Sequence, residues 1–291
     1  MRLALGTAQF GMRYGVSNVN GKVTQEDGKA IIKYAASAGI DTIDTAMAYG
    51  DSEHVLGTIG VEAFKVVTKL PEIPNHVTDV DAWVVGAVEE SVARLGVESL
   101  YGLLLHRPGQ LFESRGVEIM SALRYLKGGG VVKNLGVSVF SPSELDALYT
   151  LYDFDIVQCP FNLVDRRLLN SGWLAKLRGV GVEVHTRSSF LQGLLLMPRD
   201  SIPRKFHAWR LLWDKWHVWL HRHQITPVEA CLSYTLSCLE IDRVIVGVDT
   251  QDQLTEIVHA ASGVVIDSYP DIKCDSTELI NPANWGALLK L

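Results

Sequence analysis

Short β-branched, apolar runs recur along the 291-residue chain, and most are followed by a stretch whose apolar residues return at helical spacing. The runs are RLALGTA (2–8), IDTIDTA (40–46), FKVVTKL (64–70), LYGLLLH (100–106), VKNLGVSVF (132–140), DIVQCPF (155–161), VEVHTRSS (182–189) and RVIVGV (243–248). Between them lie TQEDGKAIIKYAASAG (24–39), DVDAWVVGAVEESVARLG (79–96), VEIMSALRYLKGG (117–129), SPSELDALYTLY (141–152) and RRLLNSGWLAKLRGVG (166–181). Several open on Ser, Thr or Asp and close on Gly, the start and stop chemistry of helices. Eight strands alternating with helices predict an α/β fold, a (β/α)8 TIM barrel. A doubly wound sheet would need a G-x-G-x-x-G turn after its first strand, and none is present. The glycines of KGGGVVKNLG end a helix and precede a strand, where a cap and a turn account for them. No repeat or linker interrupts the pattern, so residues 1–291 are expected to form one barrel, with a tail from about residue 264 beyond the last helix.

Composition agrees with one large core, at 47% hydrophobic residues. The formal net charge is -6, from 27 basic and 33 acidic residues, and no Lys/Arg block is present to neutralise a phosphate backbone. Nucleic acid is therefore not an expected partner. Cys159, Cys231, Cys238 and Cys274 have neither C-x-x-C spacing nor the density of a disulfide-stapled domain, which suits reduced thiols. The apolar start MRLALGTAQF is broken at Gly6, and no run of roughly 18 apolar residues follows. The expectation is a cytoplasmic, soluble protein without a membrane partner.

In a barrel of this kind the chemistry sits at the C-terminal ends of the strands. Asp44 ends the second strand, Tyr49 follows it, Lys69 ends the third and His106 the fourth. Each has a plain structural alternative: a turn cap, a packed ring, a snorkelling amine, a hydrogen-bonded core imidazole. Four such groups at the strand ends of one barrel form a candidate catalytic set.

The segments DTAMAYGDSEHVLG, VVTKL, LLLHRP, LGVSVFSP and VQCPFNLVDRR resemble those of the aldo-keto reductase family, and the likeness runs from LALGTAQFG to VIVGVDTQDQLTEI. The resemblance implies NAD(P)H-dependent reduction of an aldehyde or ketone, with Tyr49 as proton donor supported by Lys69, Asp44 and His106. It further implies that Ser138 and Gln158 meet the nicotinamide carboxamide and that Arg187 stands where relatives stack an aromatic ring. Val139 replaces an Asn common after that serine. Gly6 and Thr7 at the first strand end, Ser188, Phe190 and Gly193 after the seventh, and Gly247, Asp249, Gln253 and Glu256 around the eighth complete the implied cofactor contacts. The family default is NADP(H). Asp249, where relatives often carry a cation for the 2'-phosphate, argues for NAD(H) as the alternative.

Two other functions fit the same residues. One is a dinucleotide-binding redox sensor or regulatory subunit with little turnover, which an intact tetrad disfavours. The other is a lyase or isomerase using Lys69 as a Schiff-base nucleophile, disfavoured because Asp44 should keep the amine protonated. The segments LGTAQFGMRYG, RSSFLQGLLL and LINPANW resemble a bacterial subgroup linked to carbohydrate metabolism, which implies a small-molecule, sugar-like carbonyl substrate. The oligomeric state is left open. His217 and His221, at i and i+4 with His223 nearby, have ligand spacing but no H-E-x-x-H or converging carboxylate, so no metal is expected. Trp209, Trp213 and Trp216 form one helical stripe, expected to pack in the core, with an aromatic wall for the substrate as the alternative.

Overall fold

Each of the eight expected strands is present, and each pairs in parallel with its sequence neighbours until β1 meets β8 and closes the barrel. In the computed structural model, which describes residues 1–263 and 266–288, the strands are β1 (Leu3–Gly6), β2 (Thr42–Asp44), β3 (Lys65–Leu70), β4 (Leu100–Leu105), β5 (Val132–Ser138), β6 (Ile156–Pro160), β7 (Glu183–Arg187) and β8 (Arg243–Gly247). The two-residue period of a strand sends alternate side chains to opposite faces. Val67, Leu104 and Ile156 form a small apolar cluster of their own. A much larger cluster, with Leu3, Leu5, Ile31, Ile43, Val84, Val88, Leu103 and Ile119 among its members, joins strands to helices. Fully burying one such side chain stabilises by about 1.5–3 kcal/mol, so this layer holds the barrel closed.

Local chemistry explains the helix limits. The helix Gln25–Ser37 starts where the Thr24 side chain accepts from the Asp27 amide, and Val80–Leu95 starts on Asp79 in the same way and stops at Gly96, whose φ is 66°. Two expected helices come out shorter. Residues 166–181 divide into Arg167–Asn170 and Trp173–Gly179 because Gly172 adopts φ 79°, and 141–152 yields only Ser143–Leu148. The tail is more structured than its sequence implied. It carries helices Thr277–Ile280 and Trp285–Leu288, buries Ile272, Leu279, Ile280 and Trp285, and sets the Trp285 ring edge-on to Phe206 at 4.8 Å. Residues 264–265 and 289–291 of that expected tail lie outside the described residues.

Glu53, in the helix Ser52–Ile59, is one of the acids that follow β2, and it is buried. Its carboxylate accepts from Thr68 at 2.7 Å, Ser91 at 2.7 Å and the Arg94 guanidinium at 2.9 and 2.7 Å, tying this helix to β3 and to Val80–Leu95. Glu53→Gln keeps the volume but loses the charge on which these donors converge. Urea unfolding should show a loss of about 2 kcal/mol. An unchanged midpoint would mean that the helix is held by its apolar face alone.

Candidate active site

At the C-terminal end of the barrel, Lys69 projects from β3 into the centre and is 1% exposed. Its ammonium donates to Asp44 Oδ1 at 2.6 Å and to the Thr45 carbonyl at 2.8 Å. Burial by itself pulls the ammonium's pKa down, but the Asp44 charge, the Tyr49 hydroxyl and the Asp44 hydrogen bond outweigh it and hold the pKa above its ordinary value. Lys69 is thus a fixed cation. The ring of Tyr49 lies beside it, its centroid 5.1 Å from Nζ, and meets the His106 ring edge-on at 5.8 Å. His106 is set at this height because its amide donates to the Leu70 carbonyl, one step beyond the β3–β4 pairing of Leu70 with Leu105. Burial, then Lys69, push its pKa down to about 4, with Arg187 and Arg107 adding and Asp44 opposing. At neutral pH it is an uncharged imidazole, able to donate one hydrogen bond.

The turn that carries Tyr49 is fixed by two glycines. Gly50 adopts φ 58°, and a Cβ there would stand 2.5 Å from the Gly11 carbonyl oxygen, while one on Gly11 would stand 1.6 Å from the Tyr49 carbonyl oxygen. The short helix Ala8–Gly11 after β1 therefore presses on the turn after β2 through bare backbone. Ser52 reinforces the contact by donating to the Thr7 carbonyl at 2.8 Å.

Asp44 divides its carboxylate between two donors, Lys69 on Oδ1 and the Gln158 amide on Oδ2 at 2.7 Å. Ser138 in turn donates to Gln158 Oε1 at 3.1 Å. Ser138 and Gln158, the residues implied to meet the nicotinamide carboxamide, thus sit in one hydrogen-bonded chain that ends on Asp44. Both side chains are buried, their hydrogen bonds run inward to Asp44, and neither is on the wall of the adjoining cleft.

That cleft, about 430 Å³, runs from Asp44 and Tyr49 across the ends of β1, β7 and β8 to Gln253, Glu256 and Ile257 on the helix Gln251–Ala261. Gly6, Thr7, Arg187, Ser188, Phe190, Gly193, Gly247 and Asp249 also line it, so most of the implied cofactor contacts share one groove. Arg187 donates to the Val139 carbonyl at 3.0 Å and sets its guanidinium carbon 5.1 Å from the Phe140 ring centroid. Asp249 is held by Asn18 Nδ2 at 2.9 Å, and burial raises its pKa against the hydrogen bonds from Gln253 and Asn18.

The loop after β7 is conformationally unusual. Ser188, Leu191, Gln192 and Gly193 have φ of 66°, 48°, 53° and 90°. A Cβ on Gly193 would meet Ser17 Oγ at 2.0 Å, so only glycine fits where the two loops touch. Among the described residues the backbone N–H groups of Ser189, Phe190 and Gln192 have no internal acceptor, and the buried Ser189 Oγ on the cleft wall has no partner. Such unspent donors suit an anionic group.

Sequence reasoning missed Gln9, Tyr14, Ser17, Ser189 and Gln192 as cleft residues. Ser189 adjoins the implied Ser188 and was within reach. Tyr14 and Ser17 lie in an irregular loop whose place is set by a long-range bond, Val16 N–H to the Gln192 carbonyl at 2.9 Å, for which periodicity carries no signal. The Trp stripe lies away from the cleft. Trp213 and Trp216 are fully buried, donating to the Phe206 and Leu195 carbonyls at 2.9 and 3.0 Å, and Trp209 is half-buried. His217, on the same helix, keeps its Nε2 buried and without a partner among the described residues.

A model of the aldo/keto reductase family matches residues 2–273. The chain belongs to that family. Among curated members, it is 28% identical over 217 residues to an oxidoreductase of Leptosphaeria maculans, covering 71% of this chain and 65% of that protein. It is 35% identical over 131 residues to an aldo-keto reductase of Mycobacterium sp. (strain KMS), covering 42% and 45%, and 28% identical over 203 residues to D-arabinose 1-dehydrogenase of Saccharomyces cerevisiae, covering 61% and 58%. The matches thus take in roughly half to two thirds of these relatives' lengths. Two family structures have the same barrel: an aldo-keto reductase of Bacillus halodurans in its holo form (TM-score 0.71, 19% identity, 91% of this chain and 88% of that one) and a glycerol dehydrogenase of Gluconobacter oxydans (0.68, 23%, 91% and 87%). No helix among the described residues is long and apolar enough to cross a membrane.

Proposed function

We propose that the protein is an NAD(P)H-dependent reductase of an aldehyde or ketone, with Tyr49 as the proton donor. The observation that carries this is the buried Asp44–Lys69 pair lying against the Tyr49 ring, with His106 beside it. A phenol of ordinary pKa near 10 is a reluctant acid at neutral pH. A permanently charged ammonium alongside stabilises the phenolate left when the proton departs. Asp44 keeps Lys69 charged and aimed, and Gln158 with Ser138 keeps Asp44 in place. Neutral His106 donates to the carbonyl oxygen and shares its developing charge.

The cleft residues fit a nicotinamide dinucleotide, with elongated walls, unspent donors after β7 and an acidic turn after β8. When bound, the dinucleotide supplies the hydride. Arg187 backs the nicotinamide with its guanidinium plane, steadied by Phe140 and the Val139 carbonyl. Ser189 Oγ and the free amides of its loop receive phosphate oxygens, and Gly6, Thr7, Ser188, Phe190 and Gly193 shape that passage. Gly247, Asp249, Gln253 and Glu256 border the adenosine end. The substrate is a sugar-like carbonyl compound. Steady-state loss of nicotinamide absorbance with a panel of aldoses, hydroxyketones and simple aldehydes tests the reading. Tight dinucleotide binding without oxidation by any of them would contradict it.

Cofactor choice turns on Asp249. A carboxylate opposes a 2'-phosphate but accepts a hydrogen bond from a free ribose hydroxyl. NADP(H) is the family default and is kept here, with a small preference over NAD(H). Asp249→Arg should move the ratio of the two affinities towards NADPH about tenfold, or ~1.4 kcal/mol. Equal ratios for wild type and variant in parallel fluorescence titrations would separate Asp249 from the ribose.

A further inference from the structure

Beside the proton donor, the barrel mouth carries more positive charge than the proposed reduction uses. Arg107 follows His106 directly, and its guanidinium carbon sits 5.0 Å from the centroid of the Phe140 ring. Arg187 sits on the same ring at 5.1 Å. Both cations are close enough to His106 to help depress its pKa, as Lys69 does, with Asp44 the opposing carboxylate. Asp44 is already committed to Lys69 and Gln158. Two acids close to Phe140 are also engaged. Glu144 accepts from the Phe140 and Ser141 amides at 2.8 and 2.7 Å, and Asp165 is paired with Arg167 at 2.8 Å.

Among the described residues, neither Arg107 nor Arg187 has a carboxylate within salt-bridge distance, and Arg107 makes no hydrogen bond to any other residue. An exposed, unpaired arginine is common on a protein surface. Exposed Arg107 and half-buried Arg187 gathered on one aromatic ring, near the buried Lys69 and the Tyr49 ring, make a local excess of positive charge at the barrel mouth. A guanidinium held over a ring face by its carbon can keep edge N–H groups free for a planar anion.

We propose that the substrate is a carbonyl compound bearing a carboxylate or phosphate, and that Arg107 is the residue that selects it. Arg187, behind the nicotinamide, adds to the field, while Arg107 is the group free to pair directly. The anionic group binds at the β4–β5 side of the mouth, leaving the carbonyl to reach Tyr49 and His106. This rests on the reductase reading above and narrows its substrate class.

The test compares matched pairs that differ in charge: D-glyceraldehyde 3-phosphate against D-glyceraldehyde, and 4-carboxybenzaldehyde against 4-formylbenzamide. For at least one pair, the anion should have the higher kcat/KM by tenfold or more, mainly through KM. Arg107→Gln should bring that ratio close to one, Arg107→Glu should invert it, and Arg107→Lys should retain most of it. The phosphate and carboxylate pairs separate the two sources of the charge. No preference for either anion in the wild type, or a preference untouched in Arg107→Gln, overturns the proposal. Titration of the same compounds into the dinucleotide-saturated protein, followed by tryptophan fluorescence, reads the preference without turnover. Selective anion binding that depends on Arg107, with no reduction, would overturn the reductase reading and leave the anion site standing. Reduction with equal affinities would do the reverse.

Discussion

Tyr49→Phe should lower carbonyl reduction by roughly 10²–10⁴-fold while leaving dinucleotide affinity within a few-fold of wild type. The substitution removes one oxygen from a ring that is half-buried and packed against His106 and Lys69. Its shape and contacts persist, so cleft and barrel should be unchanged. In the proposed reaction the hydroxyl passes a proton to the carbonyl oxygen, and the Lys69 ammonium, 5.1 Å from the ring centroid, stabilises the phenolate left behind. The loss should therefore appear in kcat, and KM should change little. Turnover within a few-fold of wild type would mean that another acid serves, or that proton transfer lies outside this cluster.

Lys69→Met should destabilise the fold by about 3–5 kcal/mol and abolish turnover. The side chains of Lys69 and Asp44 are 1% and 6% exposed, so removing the ammonium leaves a carboxylate in the barrel mouth with only the Gln158 amide for compensation. That uncompensated charge, more than the lost attraction, sets the cost. The double variant Lys69→Met/Asp44→Asn should accordingly recover much of the stability and none of the activity. Urea unfolding followed by circular dichroism measures both. A loss under about 1 kcal/mol for Lys69→Met would indicate that water reaches the pair and that its charges are screened.

The barrel and the tetrad were legible in the chain for the same physical reason. A buried parallel strand favours apolar and β-branched residues, so each of the eight runs stood out, and ionisable residues that each have a plain structural alternative gain weight from falling together at the strand ends of one barrel. Asp44, Lys69 and His106 were visible in this way, and Tyr49 came with the glycine turn after β2. Helix boundaries were less legible where glycine acts by conformation: nothing in RRLLNSGWLAKLRGVG distinguishes a tolerated Gly172 from one at φ 79° that splits the helix. The tail concealed its packing because Trp285 and Phe206 meet across a long sequence separation. Ser138 and Gln158 were singled out through the family resemblance, yet which way they spend their hydrogen bonds depends on the distance to Asp44, a property of barrel closure. Tyr14, Ser17 and Gln192 were hidden for a related reason, since two irregular loops meet only once the ring is complete.

In the proposed reaction, hydride would pass from a dinucleotide held in the β1–β7–β8 cleft to a carbonyl carbon while Tyr49 protonates its oxygen. A single-turnover reaction with NADPH carrying deuterium on the transferred side of its C4, followed by mass spectrometry of the alcohol, tests this most directly. Wild-type protein should place one deuterium on the carbinol carbon with a primary isotope effect, and Tyr49→Phe should slow that transfer by roughly 10²-fold or more. An alcohol that takes its carbon-bound hydrogen from solvent, or a transfer indifferent to Tyr49, would contradict it.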